Sequence, residues 1–366
     1  MSSILLYNLI MVEQVGNMKI KKRNINIDLI KCIAVFSVIS VHFFLNNGFY
    51  DSTILGKNMY IMTMFRTLFM ICVPLFIITT GYLMKNKELN RKYYFGIIRV
   101  LLIYFIATTM LILYNNIYLG GPFTIRYLIK SILEFEQGYC WYIEMYIGLF
   151  LLIPFLNLIY NNLKTKKEKN ALIVTMLLLT SFQGILNIHH YLIPDWWLGI
   201  YPLTYYFIGC YIKEYNPKIN KIYNIILLII VLIISAIINI NLSKGSTFSW
   251  GIHNDWGSIL NVASSVLVFV FIHNLNLSNL NIKLKRIIIK ISELSLGVYL
   301  SSAIIDNFLY HNYFKNINFM NMIGYIKIVP LVFILSISLS MIINFFYKMI
   351  NKYIVKNIIE KNLNRI

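Results

Sequence analysis

One stretch near the N-terminus carries three side chains that could perform acid–base and anion chemistry. Asp28, Lys31 and His42 lie within an otherwise apolar run. Lys31 and His42 are eleven residues apart, about three helical turns, so they share nearly the same helix face at a separation of about 16 Å. Asp28 precedes Lys31 by about one turn on that face. The amine suits an anion, and the imidazole suits a general base near neutral pH.

The elements that carry these residues are strongly hydrophobic. The 366-residue chain is 58% apolar and 13% charged, with a mean hydropathy of +0.68, whereas soluble domains average about 25% charged residues. The formal net charge of +19 is distributed in short clusters between apolar runs, with no basic helix or zinc-finger spacing, which argues against a nucleic-acid partner. The four cysteines show no metal-type spacing, so no metal is expected.

These features predict an all-α polytopic membrane protein whose immediate partner is the lipid bilayer. A span needs about 20 mostly apolar residues. We predict ten transmembrane helices, at 27–45, 60–84, 93–114, 139–160, 170–188, 196–212, 222–241, 256–275, 288–310 and 325–347. The shorter, mixed stretch 119–136 predicts an interfacial or re-entrant helix.

The distribution of positive charge predicts the orientation of these spans. With the N-terminus in the cytoplasm, 23 of the 33 Lys and Arg residues fall in cytoplasmic segments and five in external ones. This asymmetry agrees with the positive-inside rule. We therefore expect a multi-pass protein of the cytoplasmic membrane with both termini in the cytoplasm.

Ionisable residues inside the predicted spans form two groups by depth. Each costs at least ~2.5 kcal/mol at mid-bilayer, so such residues usually pair or line a polar cavity. The orientation above sorts them into a cytoplasmic group (Asp28, Lys31, Arg99, Lys290 and Glu293) and an external group (His42, Arg66, Glu144 and Asp306). Two polar zones at opposite depths predict a route through the protein that meets an anion at its inner end.

Several sequence blocks together resemble the membrane-bound acyltransferase-3 family. The block "IDLIKCIAVFSVISVH" matches the basic-x10-His pattern of its first span through Lys31 and His42, with Asp28 at the usual acidic position. "FRTLFMICVPLFIITTGYL" is similar to its second-span block, which places Arg66 in the motif. In "RKYYFGIIRVLLIY", Arg99 fits the second position of the family's R-x-x-R, but Gly96 stands at the first.

Two later blocks extend the resemblance to residues 24–345. "WYIEMYIGLFLLIPFL" places Trp141 in register with the family's tryptophan, while Glu144 stands where an aromatic residue is common. "LSLGVYLSSAIID" is similar to the G-I-Y-L-x-H block, but Ser302 stands where many members have histidine. This departure leaves His42 as the main imidazole candidate.

The resemblance implies transfer of an acyl group from acyl-CoA to a hydroxyl of a cell-surface polysaccharide, a lipid-linked sugar or a similar small acceptor. We expect the acyl group to be acetyl. We expect acyl-CoA as co-substrate and a glycan or lipid-linked sugar as partner. The roles we predict are His42 and Glu144 in catalysis, Lys31 and Arg99 in binding acyl-CoA, Arg66 and Trp141 in binding substrate, and Asp28 in orienting Lys31.

The predicted organisation is one ten-span acyltransferase-like domain at 24–347, between a cytoplasmic tail at 1–23 and a basic cytoplasmic tail at 348–366. Residues 1–17 lack the basic start of a signal peptide, and an over-extended start is one reading of them. A transporter or flippase of a sugar or acylated metabolite is the alternative function, and a membrane anchor or sensor is a weaker one. Direct transfer or an acyl-His intermediate, the acceptor, the side of transfer and the oligomeric state stay open.

Overall fold

The computed structural model describes residues 23–187, 192–313 and 320–352. Within these ranges the chain is helical and contains no β-strand beyond one isolated bridge between Ile54 and Lys244. The helices are α1 (Ile25–Asn46), α2 (Gly56–Phe69), α3 (Cys72–Met84), α4 (Arg91–Phe95), α5 (Ile98–Leu119), α6 (Ile125–Leu133), α7 (Trp141–Asn162), α8 (Lys166–Thr180), α9 (Gln183–Leu186), α10 (Tyr201–Tyr215), α11 (Lys221–Ser243), α12 (Ile259–His273), α13 (Ile282–Asn312) and α14 (Met322–Ile350). Two 3₁₀ segments lie at Phe49–Asp51 and Asp195–Ile200.

Seven helical segments of the described chain are long and apolar enough to cross a bilayer, which confirms a multi-pass helical architecture. Two of them, Gly56–Met84 and Arg91–Leu119, each join two helices. Three predicted spans (170–188, 196–212 and 256–275) instead meet helices of 15 residues each, α8, α10 and α12. Fifteen residues extend about 22 Å, less than the ~30 Å hydrocarbon core. The count of ten and the sides of the termini therefore stay predictions.

The interfacial segment predicted at 119–136 contains α6, a nine-residue helix. Ser131 is its one buried residue, so most of the helix surface faces outward from the protein.

Helix α1 is the centre of the bundle. It packs against α2, α3, α12, α13 and α14, and 78% of its most apolar window is buried. By contrast, 11% of the corresponding window of α11 is buried, which places that helix at the periphery. Because α1 is surrounded by protein, its polar side chains face neighbouring helices rather than lipid.

The start of α1 is fixed by a side-chain cap. The Asn24 side chain accepts hydrogen bonds from the backbone N–H groups of Asn26 and Ile27, which satisfies donors that have no partner within the helix. The Asn26 amide in turn donates to the carbonyls of Ile272 and Leu275, at 2.7 and 2.8 Å. These contacts fix where α1 begins along the bundle, and thereby the depth of every side chain on it.

Helices α3 and α10 cross at very short range through two glycines. A Cβ added at Gly81 would overlap the carbonyl oxygen of Tyr206, and one at Gly209 would overlap that of Ile78. Small residues allow helix backbones in a membrane to approach this closely. Helix α7 also approaches α10, and a cavity separates part of α7 from helices α1, α3 and α13.

Candidate active site

A cavity of about 280 Å³ lies in this space and runs along α1. Lys31 and His42, the two ends of the predicted stripe, both line it. The rest of its wall is mainly apolar and aromatic and comes from α3, α5, α7 and α13, with Trp256 from the loop before α12. The cavity therefore joins an amine to an imidazole about 16 Å away along one helix.

His42 lies at one end of this cavity in a cluster of polar side chains. Its Nδ1 is 3.4 Å from the Ser302 hydroxyl and 3.9 Å from Oδ2 of Asp306. Ser302 and Asp306 are one turn apart on α13, so both side chains face α1. All three residues are buried. A carboxylate beside Nδ1 leaves Nε2 as the ring nitrogen available to a substrate, and it would stabilise an imidazolium.

Tyr139 covers the His42 ring. The two ring centroids are 3.5 Å apart with an interplanar angle of 32°. The Tyr139 hydroxyl donates to Asp306 at 2.9 Å and accepts from the Asn46 amide at 2.9 Å. The Asn46 amide also donates to the His42 carbonyl at 2.8 Å. The imidazole is thus held between a carboxylate and an aromatic ring, each of which is itself held by a hydrogen bond.

The second end of the cavity adjoins an ionic network. Arg23 binds Asp28 through two hydrogen bonds of 2.6 and 2.8 Å and binds Glu293 at 2.6 Å. Ser292 donates to Asp28 at 2.6 Å. Arg99 lies 3.4 Å from the Glu293 carbonyl oxygen. The structure therefore brings together Asp28, Arg99 and Glu293, three of the five charged residues sorted to this depth, at the end of the cavity that Lys31 lines.

Asp28 was predicted to orient Lys31. Among the described residues its hydrogen bonds go to Arg23 and Ser292, and these bonds tie the start of α1 to α13. An effect of Asp28 on Lys31 would act through charge over distance, and that role stays a prediction.

Of the remaining predicted site residues, Trp141 lines the cavity, whereas Arg66, Arg99 and Glu144 are not among its lining residues. Glu144 is exposed on the surface of α7. Arg66 is fully buried and contacts the loop between α11 and α12. Neither residue contacts this cavity, so the cavity does not support a catalytic role for Glu144 or a substrate-binding role for Arg66.

A second, more polar cavity of about 500 Å³ shares Met84 and Tyr146 with the first. Lys87 and Lys92 line it, together with Gly96, the residue at the first position of the incomplete R-x-x-R. The glycine leaves this part of the wall without a side chain. The shared residues place the two cavities next to each other.

Three residues without a predicted role belong to this site: Asp306 and Tyr139 contact His42, and Trp256 lines the cavity. Asp306 could have been found, because a carboxylate inside a predicted span at the depth of His42 needs a partner. Tyr139 and Trp256 lie in or beside loops, and their sequence context does not distinguish them from other interfacial aromatics.

Among the described residues, no group of three or more His, Cys, Asp or Glu side chains could hold a metal ion. The four cysteines are free. The polar groups beside the His42 ring include the Asp306 carboxylate and the hydroxyls of Ser302 and Tyr139.

The molecule is a polytopic helical membrane protein whose central helix presents an amine and an imidazole to one cavity. Residues 24–345 match the acyltransferase-3 family model, which is described as an acyltransferase domain. The chain belongs to this family and is a membrane acyltransferase. No curated protein and no solved structure matches it significantly.

Proposed function

We propose that the protein transfers an acyl group from acyl-CoA to a hydroxyl of a cell-surface polysaccharide, a lipid-linked sugar or a similar small acceptor. The acyl group we propose is acetyl. The observation that supports this most directly is the single cavity that Lys31 and His42 both line. The pantetheine arm of CoA is about as long as their separation of roughly 16 Å. A donor held at the Lys31 end would place its thioester beside His42.

Basic groups at the Lys31 end would hold the CoA phosphates. Lys31 lines the first cavity, and Lys87 and Lys92 line the adjoining one. Lysine ammonium groups form charge-assisted hydrogen bonds with phosphate oxygens. Gly96 has no side chain, so the second cavity has room for the nucleotide of CoA. Lys87 and Lys92 would supply the positive charge that an arginine at position 96 supplies in the R-x-x-R motif.

At the other end, His42 would act as general base. Nε2 takes the proton from the hydroxyl group of the acceptor while the hydroxyl oxygen attacks the thioester carbonyl carbon. The C–S bond then breaks. The CoA thiolate leaves and takes the proton from the imidazolium. Asp306 would stabilise that imidazolium through Nδ1, from 3.9 Å. An acyl-His intermediate would use the same residues in two steps.

Tyr299 is placed to stabilise the oxyanion of the tetrahedral intermediate. It lines the cavity, and its ring centroid lies 6.4 Å from that of His42. Its buried hydroxyl has no hydrogen-bond partner within the described chain. A buried donor without a partner costs free energy in the resting protein, and a developing negative charge would recover it. Arg66, predicted to bind substrate, and Glu144, predicted to act in catalysis, are not among the residues that line the cavity.

The test is transfer of radiolabel from acetyl-CoA to a glycan fraction, with purified protein in detergent. The wild type and the His42→Ala variant are compared with His311→Ala, which removes an exposed histidine from α13. We expect transfer with the wild type and His311→Ala, and none with His42→Ala. Full transfer by His42→Ala would refute the assignment. Absence of both label transfer and stoichiometric release of free CoA would favour the transporter alternative.

A further inference from the structure

Arg66 is a fully buried cation that contacts a loop instead of a carboxylate. Within the described chain it has no ion-pair partner. Its guanidinium carbon lies 4.5 Å from the ring centroid of Phe248 and 4.6 Å from that of Trp250. Nε donates to the Tyr50 hydroxyl at 3.2 Å, and Nη1 donates to the Asn254 carbonyl at 3.4 Å. Three of these four partners belong to residues 244–257, between α11 and α12, which we call the outer loop.

The outer loop is folded over the end of α1. Its first residues pair with Ile54, whose backbone N–H donates to Ser246 at 2.8 Å and whose carbonyl accepts from Gly245 at 3.1 Å. Trp250 stacks on Tyr50 at 4.9 Å with an angle of 27°. Because Tyr50 follows α1 closely in sequence, these contacts hold the loop against the His42 end of that helix.

The loop ends at the cavity. Trp256 lines the cavity wall and stacks on Trp141 of α7, with ring centroids 5.9 Å apart and an angle of 26°. The Trp256 carbonyl accepts from the Tyr205 hydroxyl at 2.7 Å. Both indoles therefore line the cavity that His42 also lines, stacked on each other, with one carried by a helix and one by the outer loop.

We propose that the two indoles form the acceptor subsite, a stacking platform for a carbohydrate ring, and that Arg66 is the positioning residue that holds the loop carrying Trp256. This rests on the proposed function, because it deepens the site of that reaction. A sugar ring presents C–H groups on its faces and hydroxyls at its edge. Stacking on an indole would therefore aim a hydroxyl at His42 while the apolar face is buried.

The contacts of Arg66 explain why this residue acts through the loop. It is fully buried and does not line the cavity, so it does not reach an acceptor there. A planar guanidinium can lie against two aromatic rings and donate to a carbonyl and a hydroxyl at the same time, whereas a lysine ammonium cannot reproduce this arrangement. Loss of Arg66 would loosen Phe248 and Trp250 first, and Trp256 with them.

Two measurements test the clamp and the platform separately. The first is hydrogen–deuterium exchange of the 244–257 backbone amides, which needs no substrate and reports local opening. Arg66→Met should speed this exchange about tenfold or more, with Arg66→Lys in between and the 125–133 peptide unchanged. The matched control is Arg126→Met, which removes an exposed arginine from α6. Unchanged exchange in Arg66→Met would overturn the clamp.

The second measurement is label transfer from acetyl-CoA at increasing concentrations of a glycan fraction. Arg66→Met and Trp256→Ala should raise the half-saturating glycan concentration about tenfold, with that for acetyl-CoA changed less than twofold. Unchanged glycan dependence in Trp256→Ala would overturn the platform, even if Arg66→Met fails to fold. If the wild type transfers no label but Arg66→Met still opens the loop, the proposed function and the acceptor platform are wrong and the clamp stands.

Discussion

Replacing Asp306 by asparagine should slow acyl transfer while leaving the protein folded. The carboxylate lies 3.9 Å from Nδ1 of His42, and the imidazole becomes positively charged when it takes the acceptor proton. At an effective dielectric constant of about 20, two unit charges at this distance attract by roughly 4 kcal/mol. Asparagine keeps the shape and can still accept from Tyr139, but it removes this attraction from the transition state.

Each 1.36 kcal/mol is a factor of about ten in rate, so the full attraction corresponds to roughly a thousandfold. The Tyr139 hydroxyl already donates to the carboxylate at 2.9 Å and takes up part of its charge. We therefore expect kcat to fall about 100- to 1,000-fold, with half-saturating acetyl-CoA little changed.

The assay is initial-rate label transfer at saturating donor and glycan, with His311→Ala as the control on the same helix. Asp306→Glu, which restores the charge at a shifted position, should recover part of the rate. An Asp306→Asn variant that keeps more than a third of wild-type kcat would show that His42 works without this carboxylate, and the reasoning would be wrong.

The remaining predictions concern donor binding, the oxyanion and the helix crossing. Lys31→Met should raise the half-saturating acetyl-CoA concentration about 10- to 100-fold, since a charge-assisted hydrogen bond is worth roughly 1.5–3 kcal/mol. Lys57→Met, at an exposed position, should leave this concentration unchanged. Equal concentrations for the two variants would contradict the role of Lys31. Tyr299→Phe should lower kcat about 100-fold if its hydroxyl meets the oxyanion, and single-turnover kinetics would show an unchanged rate if it does not. Gly209→Ala should cost about 1–3 kcal/mol of stability by overlap with a carbonyl of α3, measured as a lower Tm in detergent than that of Gly148→Ala, where a Cβ meets open space.

The sequence by itself determined the class of fold and placed Lys31 and His42 on one face of one helix. Several apolar runs of about 20 residues indicate spans of a bilayer. In lipid every backbone polar group must be bonded within the protein, so helices are the expected outcome. The spacing of Lys31 and His42 fixed their common face and their separation, because both follow from helix geometry alone. Both residues line the same cavity, as a common helix face requires.

What only the tertiary structure decided is which distant side chains meet. Sequence patterns could sort Arg66, Glu144 and Asp306 to one depth, but depth does not say which way a helix face turns. Packing turned Asp306 toward His42, turned Glu144 to the surface of α7, and enclosed Arg66 beneath the outer loop. Helix rotation is set by close contacts with neighbouring helices, such as the glycine crossing of α3 and α10. Such contacts between residues far apart in the chain leave no periodic trace in the sequence.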